Sequence, residues 1–342
     1  MKNFDEQMML RCIQLAKNGL GTTYPNPLVG CVIVHNEKII AEAWHLKAGK
    51  PHAEVNAILQ IHDKEILQNS TLYVSLEPCA HHGKTPPCAD LIIQNKIPKV
   101  VVGTVDPFAK VNGLGIQKMK DAGIEVISGV LENECSELNK RFFTFHQKKR
   151  PYVILKWAQT ANGFMAAEKD QQKWITNEFS KQLVHKWRTE EQAILVGRKT
   201  AEIDNPQLNA RLWNGNQPIR FVLDKDLKLN DKLNLFDQSQ RTIVFIEKEK
   251  SNQENLEFVQ IHFDENLTES ILSKLYELEI QSVIIEGGKR TLESFIEKDL
   301  WDEARIFTSE NRWISGIQSP EIKGGLIHSQ AVKSDKLEIF KR

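Results

Sequence analysis

Short apolar runs alternate with helical patterns along the whole chain. In the first half, the strand-like runs cover residues 29–34, 38–43, 72–76, 98–103 and 124–130. Helical patterns cover residues 4–18 and begin again near positions 52, 91, 116 and 132. The first two runs predict a hairpin, because the turn formers His35 and Asn36 separate them. Strands that alternate with helices predict a layered α/β fold.

The second half repeats this alternation. Its strand-like runs cover residues 152–158, 193–197, 219–223, 242–246 and 283–286. The last run leads into Gly287, Gly288 and a further helical pattern. Glycines let the backbone approach an anion, and the free N–H groups of the helix then face it. Many α/β proteins have such a turn, so the pattern alone identifies no ligand.

A change of pattern near residue 150 predicts two domains, of residues 1–147 and 148–342. Residues 132–150 predict one helix that ends in a basic cluster, and Pro151 then opens a new apolar strand. We interpret positions 146–150 as a solvated linker. At 342 residues, the chain is long enough for two domains of ordinary size.

The composition of the chain indicates which binding partners and which location to expect. The 45 basic and 45 acidic residues give no net charge, whereas nucleic-acid binders usually carry a basic excess, so we expect no nucleic-acid partner. The five cysteines are odd in number and lack the spacing of a disulfide framework. Asp5 and Glu6 lie where a signal peptide needs an apolar core, and no apolar run approaches the ~20 residues of a membrane span. We therefore expect a cytoplasmic protein with no membrane partner.

One stretch combines a His-x-Glu pair, His52 and Glu54, with a Pro-Cys pair at Cys79 and a second thiol at Cys88. Imidazole and thiolate are preferred zinc ligands, and three of them leave one position of a tetrahedral site for water. This order of residues is typical of zinc-dependent nucleobase deaminases. We predict that His52, Cys79 and Cys88 bind one Zn²⁺ and that Glu54 is the catalytic proton carrier. A structural zinc, or thiols unrelated to a metal, is the alternative.

The spacing of the thiols points to a narrower family. Residues 80–87 separate the two cysteines, where many deaminases have only two residues. This longer form resembles the deaminase domain of the bifunctional deaminase–reductases of riboflavin biosynthesis (RibD type). The motifs at residues 156–164, 174–176, 196–211 and 283–288 resemble the reductase domain of the same family. The resemblance implies a cytidine-deaminase-like three-layer domain followed by a dihydrofolate-reductase-like domain.

The resemblance also implies the substrate, the cofactor and the residues that bind them. The first domain would deaminate a pyrimidine that carries a ribose 5-phosphate, and the second would reduce its ribosyl group with NADPH. The family often associates, so we expect a homo-oligomer. The implied substrate-binding residues are Asn26, His45, Lys84, Arg188, Leu208, Arg211 and Glu286. The implied cofactor-binding residues are Ala158, Trp174, Thr200, Asp204, Gly287, Gly288, Lys289, Arg290 and Thr291.

Within this set, the arginines would bind the phosphate, because guanidinium groups suit bidentate recognition. Glu286 would contact the pyrimidine. Asp204, which we place in a loop, would contact the dinucleotide. The competing interpretations are a surface salt bridge for each arginine, a strand-end carboxylate for Glu286 and a turn residue before Pro206 for Asp204.

Two other functions stay open at this point. The chain could be a nucleic-acid-editing deaminase whose second half is a binding module, although its charge balance and the long spacing between the cysteines argue against this. Alternatively, the second half could be a non-catalytic structural domain. Binding of NADPH distinguishes the last possibility, because a degenerate domain would not bind it.

Overall fold

A computed structural model describes residues 3–80, 86–107, 112–167 and 174–342. These residues form two compact units that divide between Lys148 and Lys149. Among the described residues, no helix combines the length and apolar character needed to cross a membrane.

The first unit is built on one mixed sheet. Its strands are β1 Gly30–His35, β2 Lys38–Trp44, β3 Thr71–Leu76, β4 Lys99–Thr104 and β5 Glu125–Ser128. Its α-helices are α1 Phe4–Ala16, α2 Ala53–Leu59, α3 Cys88–Gln94, α4 Leu114–Asp121, α5 Glu132–Leu138 and α6 Lys140–Lys148. The sheet order is β2-β1-β3-β4-β5, antiparallel from β2 to β3 and parallel from β3 to β5. The predicted hairpin of β1 and β2 is confirmed.

Helices cover both faces of this sheet. Cys31 and Ile33 pack on one face with apolar residues of α2, α3 and α4. Val32 and Val34 pack on the other face with residues of α1 and α5. The alternation follows because successive side chains of a strand point to opposite faces. The predicted three layers are confirmed, and the starts of α2 and α3 lie on the first face.

Two helices replace the single helix predicted for residues 132–150, because α5 ends before Asn139 and α6 begins after it. The buried Asn139 side chain accepts a hydrogen bond from the Leu28 N–H at 2.8 Å and donates one to the Leu28 carbonyl at 2.9 Å. Leu28 lies 111 positions earlier. No local pattern could have indicated this pairing.

The second unit is built on a larger sheet. The strands of this unit are β6 Tyr152–Gln159, β7 Phe164–Ala166, β8 Ala193–Gly197, β9 Ile219–Leu223, β10 Thr242–Ile246, β11 Leu256–Gln260, β12 Ser282–Ile285, β13 Glu303–Thr308, β14 Ile317–Gln318, β15 Gly325–Val332 and β16 Asp335–Lys341. Of these, β7 and β14 pair in a separate two-stranded sheet. Its α-helices are α7 Glu178–Glu190, α8 Arg198–Asp204, α9 Leu267–Glu277 and α10 Lys289–Glu297. The five predicted strands are confirmed, whereas β7, β11 and β13 to β16 were not predicted.

The order of the main sheet is β11-β10-β9-β8-β12-β6-β13-β16-β15, and pairing is parallel from β11 to β13. One face packs against α9 and α10, and the other packs against α7 and α8. Because β6, β8 and β12 are parallel neighbours, their carboxyl ends meet at one edge. Ligands of open α/β sheets bind outside this edge.

The start of the second unit corrects one prediction. Residues 146–150 were interpreted as a solvated linker. Positions 147–149 are exposed, but α6 continues to Lys148 and Arg150 is buried. The Arg150 guanidinium pairs with the Asp302 carboxylate, with N–O distances of 2.6 and 2.8 Å. Since Asp302 also accepts the Val153 N–H at 2.9 Å, Arg150 belongs to the packed start of β6.

Candidate active sites

Three potential metal ligands converge in the first unit. His52 Nδ1 lies 3.7 Å from Cys79 Sγ and 3.4 Å from Cys88 Sγ. The three ligand atoms all lie within 4.8 Å of one another. Ordinary zinc bond lengths in a tetrahedral site separate a nitrogen and a sulfur ligand by about 3.5 Å. The distances and the donor set therefore fit zinc.

Each ligand lies at the end of a regular element. His52 is the N-cap residue of α2. Cys79 follows the buried strand β3, and Cys88 is the first residue of α3. The Cys88 N–H donates to Cys79 Sγ at 3.3 Å, so the helix start also orients the first thiol.

The contacts within the cluster shift the pKa values of the two thiols in opposite directions. The neighbouring Cys88 thiol and the hydrogen bond with His52 lower the pKa of the Cys79 thiol, although burial opposes them. The same contact with Cys79, together with burial, raises the pKa of Cys88. The hydrogen bond with Cys79 raises the pKa of His52.

Glu54 lies in the first turn of α2 and is only 3% exposed. Burial raises the pKa of its carboxyl group, although the nearby His52 opposes the rise. Its Oε2 is buried and has no hydrogen-bond partner among the described residues. A buried carboxylate oxygen that lacks a partner is costly. An added polar group, such as a water on a bound metal, would satisfy it.

The structure also brings Asn26 and His45 to this cluster. The rings of His45 and His52 are 5.3 Å apart in an edge-on contact, and Asn26 Nδ2 lies 3.1 Å from His45 Nε2. His45 Nδ1 lies 3.1 Å from the Pro51 carbonyl, which can only accept, so this nitrogen carries the proton. His45 Nε2 is then the acceptor for the Asn26 amide. The predicted residue Lys84 lies outside the described residues.

A mostly buried ionic cluster lies at the carboxyl edge of the second sheet. The Arg188 guanidinium of α7 donates to both Glu286 carboxylate oxygens, at 3.3 and 2.9 Å. Lys156 Nζ of β6 lies 4.0 Å from the same carboxylate. The Arg188 and Glu286 side chains are only 11% and 9% exposed, so Arg188 does form a salt bridge, but a mostly buried one.

Lys156 and His185 were not singled out from the sequence. Burial lowers the pKa of the Lys156 ammonium, against the attraction of Glu286. Burial and the charges of Arg188 and Arg211 lower the pKa of His185 to about 4, so its ring is neutral at pH 7. His185 Nδ1 is buried and has no hydrogen-bond partner among the described residues.

Asn209 connects the two predicted phosphate-binding arginines. Its carbonyl accepts from Arg188 at 3.0 Å, and its side-chain oxygen accepts from Arg211 at 2.8 Å. Arg211 is exposed. Leu208 is only 2% exposed and packs in the core, so a substrate could reach it only through its backbone.

The glycine turn follows Glu286 directly and starts α10. A Cβ added to Gly288 would lie 3.1 Å from Thr200 Oγ1, and one added to Gly197 would lie 2.7 Å from Thr291 Oγ1. Four of the predicted cofactor residues, Gly287, Gly288, Thr200 and Thr291, therefore lie together where β8 and β12 end. Ala158 lies on the adjacent strand β6.

The other predicted cofactor residues have separate surroundings. Trp174 is 66% exposed, with the Lys181 ammonium 4.3 Å from the centre of its ring. Lys289 pairs with Glu293 at 3.5 Å, and Arg290 is exposed. Asp204 was placed in a loop, but it is the last residue of α8. Burial raises the pKa of its carboxyl group.

Family models match both halves of the chain. The model described as "Cytidine and deoxycytidylate deaminase zinc-binding region" matches residues 2–104. The model described as "RibD C-terminal domain" matches residues 151–309. The two regions therefore support a zinc-binding deaminase domain and a reductase domain of the RibD kind.

Whole-chain comparisons agree with this division. The chain is 42% identical to the riboflavin biosynthesis protein RibD of Aquifex aeolicus over 312 residues, 90% of this chain and 87% of that protein. It is 39% identical to RibD of Actinobacillus pleuropneumoniae over 345 residues, 98% of this chain and 91% of that protein.

Solved structures extend the similarity to the fold. A diaminohydroxyphosphoribosylaminopyrimidine deaminase/5-amino-6-(5-phosphoribosylamino)uracil reductase from Thermotoga maritima has a TM-score of 0.90 at 39% identity, covering 99% of this chain and 98% of that chain. RibD of Acinetobacter baumannii also has a TM-score of 0.90, at 32% identity and with the same coverage. The predicted two-domain α/β class is confirmed. The chain belongs to the RibD family of riboflavin biosynthesis proteins.

Proposed function

We propose that the chain carries the two activities named for its Thermotoga maritima relative. The first unit deaminates a diaminohydroxyphosphoribosylaminopyrimidine with zinc, and the second reduces the ribosyl group of the product with NADPH. The observation that carries this proposal is the convergence of His52, Cys79 and Cys88 beside the buried Glu54. The family membership disfavours a nucleic-acid-editing enzyme and a non-catalytic second half.

In the deaminase unit, His52, Cys79 and Cys88 would hold the zinc, which when bound would supply a water that ionises near neutral pH. Glu54 would take up the proton that the water releases and deliver it to the amino group, which leaves the ring carbon as ammonia when the water oxygen replaces it. A carboxyl group with a raised pKa suits both steps, because its proton affinity is nearer the working pH. The hydrogen bond between Asn26 and His45 turns the Asn26 amide nitrogen towards the imidazole. The amide oxygen would then accept an N–H of the pyrimidine.

Replacing Cys88 by serine tests the metal site. We expect Cys88→Ser to lose zinc and deamination together, because a hydroxyl is a much poorer zinc ligand than a thiolate. Reduction of the deaminated intermediate with NADPH should continue. Metal analysis and the two separate assays check this. Cys135→Ser, at another buried thiol, is the matched control and should keep its zinc. Full zinc occupancy in Cys88→Ser would contradict the assignment of this ligand.

In the reductase unit, NADPH supplies the hydride. The proposed cofactor site is the edge where Gly287, Gly288, Thr200 and Thr291 meet. The glycines and the start of α10 leave room and N–H groups for a phosphate. Arg211 is exposed and can bind the substrate phosphate, whereas Arg188 joins Glu286 to the Asn209 carbonyl. Glu286 and Lys156 would then lie beside the proposed cofactor site.

Replacing Asp204 by alanine tests the cofactor site. No hydrogen bond to the Asp204 carboxylate is present among the described residues, although burial raises its pKa. The chain turn beyond it depends on Asn205, whose side chain accepts the Asn234 N–H at 2.7 Å. We therefore expect Asp204→Ala to keep its melting temperature. A lost charge-assisted hydrogen bond should weaken NADPH binding by about 1.5–3 kcal/mol, or roughly ten- to a hundredfold.

Fluorescence titration with NADPH and thermal unfolding of the same sample measure the two quantities. Deamination serves as an internal control, because its residues lie in the other unit. Normal NADPH affinity with a lower melting temperature would instead make Asp204 a turn residue.

A further inference from the structure

A second carboxylate near the metal ligands has an unusual number of backbone partners. Glu77 lies two positions before Cys79 and is only 4% exposed. One of its oxygens accepts the N–H groups of Asp106 at 3.2 Å and Gly113 at 2.9 Å. The other accepts those of Gly115 at 2.9 Å and Ile116 at 3.2 Å.

These hydrogen bonds hold separate segments of the chain next to Glu77 and therefore close to the metal ligand Cys79. Asp106 follows β4, whereas Gly115 and Ile116 lie in the first turn of α4. The Glu77 N–H in turn donates to the Thr104 carbonyl at 3.0 Å. The side chain and backbone of Glu77 therefore fix it to both ends of the segment between β4 and α4.

A second contact joins the same segment to the residue before the metal ligand. A Cβ added to Gly115 would lie 2.0 Å from the Pro78 carbonyl oxygen. Only glycine leaves room for this approach. The backbone of α4 thus lies directly against Pro78, and Pro78 is bonded to Cys79.

We propose that Glu77 is a positioning residue for Cys79. This inference rests on the proposed zinc-dependent deamination. A bond from an N–H group to a carboxylate is roughly twice as strong as a neutral one, so four of them hold the Glu77–Pro78 backbone rigidly. Groups that orient a metal ligand typically change metal affinity or activity by about 10- to 100-fold when they are replaced. Glu77 acts in this way through the backbone that carries Cys79.

The test is Glu77→Gln in the full chain. An amide has one acceptor oxygen, so its NH₂ group would face two N–H donors. We expect zinc affinity, measured by competition with a chelator, to fall by about 10- to 100-fold. The absorption bands of the Co²⁺-substituted protein should shift as the thiolate geometry changes. Reduction with NADPH should be unchanged.

Glu42→Gln is the matched control, because it breaks the half-exposed pair with Arg11 in the same unit. It should keep the zinc affinity and the Co²⁺ spectrum of the unaltered chain. A role of Glu77 confined to stability would lower the melting temperature but leave both readouts of the folded protein unchanged, and that result would overturn the proposal.

Gly115→Ala provides the second variant if Glu77→Gln does not fold. This variant keeps the Glu77 carboxylate, but its added Cβ would clash with the Pro78 carbonyl oxygen. Weaker zinc binding and a shifted Co²⁺ spectrum would support the proposal, whereas unaltered values would overturn it. Failure of the unaltered chain to bind zinc would instead overturn the proposed deaminase function.

Discussion

Replacing Glu54 by glutamine is expected to reduce deamination by about 10²- to 10⁴-fold, the usual contribution of a general acid–base group. Zinc should stay bound, because the three converging ligand atoms belong to His52, Cys79 and Cys88. The side chains have nearly the same shape, so the variant removes the proton-carrying function and little else. The buried Oε2, which has no partner among the described residues, is the atom whose chemistry changes.

Metal analysis and the steady-state rate of deamination, measured on the same preparation, separate the two possible roles. Glu42→Gln again provides a carboxylate control outside the site. A variant that lost zinc along with its activity would show that Glu54 is a ligand. A variant that kept both would remove Glu54 from the reaction.

The deaminase cluster could be predicted because its signals are local. His52 and Glu54 lie together at a helix start, and Cys79 follows an apolar strand that leads into Pro78. Each signal depends on a few neighbouring residues. Parallel strands and helices then bring those element ends together. The order of residues was therefore enough to indicate the chemistry.

The reductase cluster could be predicted only in part, because its contacts join distant positions. Arg188 and Glu286 are 98 positions apart, and no pattern in either segment indicates that they pair. Lys156 was missed although it interrupts the apolar run of β6. A charged residue inside a buried strand is costly without a partner, so its position could have identified it.

The strands at the end of the second unit could not be predicted from the sequence, for a different reason. β15 is an exposed strand whose residues lack the apolar alternation that marks a half-buried strand. It forms because β16 pairs with it on one side and with β13 on the other. Pairing between strands, rather than a local apolar pattern, determines this part of the sheet.

Replacing Glu286 by glutamine is expected to have the largest effect on the second unit. The change leaves Arg188 and Lys156 beside each other without their shared counter-charge. Removing one partner of a buried ion pair typically costs about 3–5 kcal/mol of the free energy of unfolding. Reduction with NADPH should fall as well, because the same carboxylate lies beside the proposed cofactor turn.

The stabilisation by Glu286 should depend on pH in a direction that follows from its pKa. Burial alone would raise the pKa of Glu286, but Arg188 and Lys156 lower it from its ordinary 4.5 to about 2. A carboxyl group with a lowered folded-state pKa stabilises the fold above its ordinary pKa, and this contribution is lost as the pH falls through the folded value. The difference in the free energy of unfolding between the unaltered chain and Glu286→Gln should therefore have its full size at neutral pH. It should shrink as the pH falls from 4.5 to about 2.

Urea unfolding followed by tryptophan fluorescence measures this difference, because six of the seven tryptophans lie in the second unit. Glu257→Gln is the matched control, since it breaks a more exposed pair with Arg241 and should cost at most about 1 kcal/mol. Adding Lys156→Met to Glu286→Gln removes one uncompensated cation and should restore part of the stability. If Glu286→Gln unfolded like Glu257→Gln across this pH range, the ionic cluster would not stabilise the carboxyl edge of the sheet.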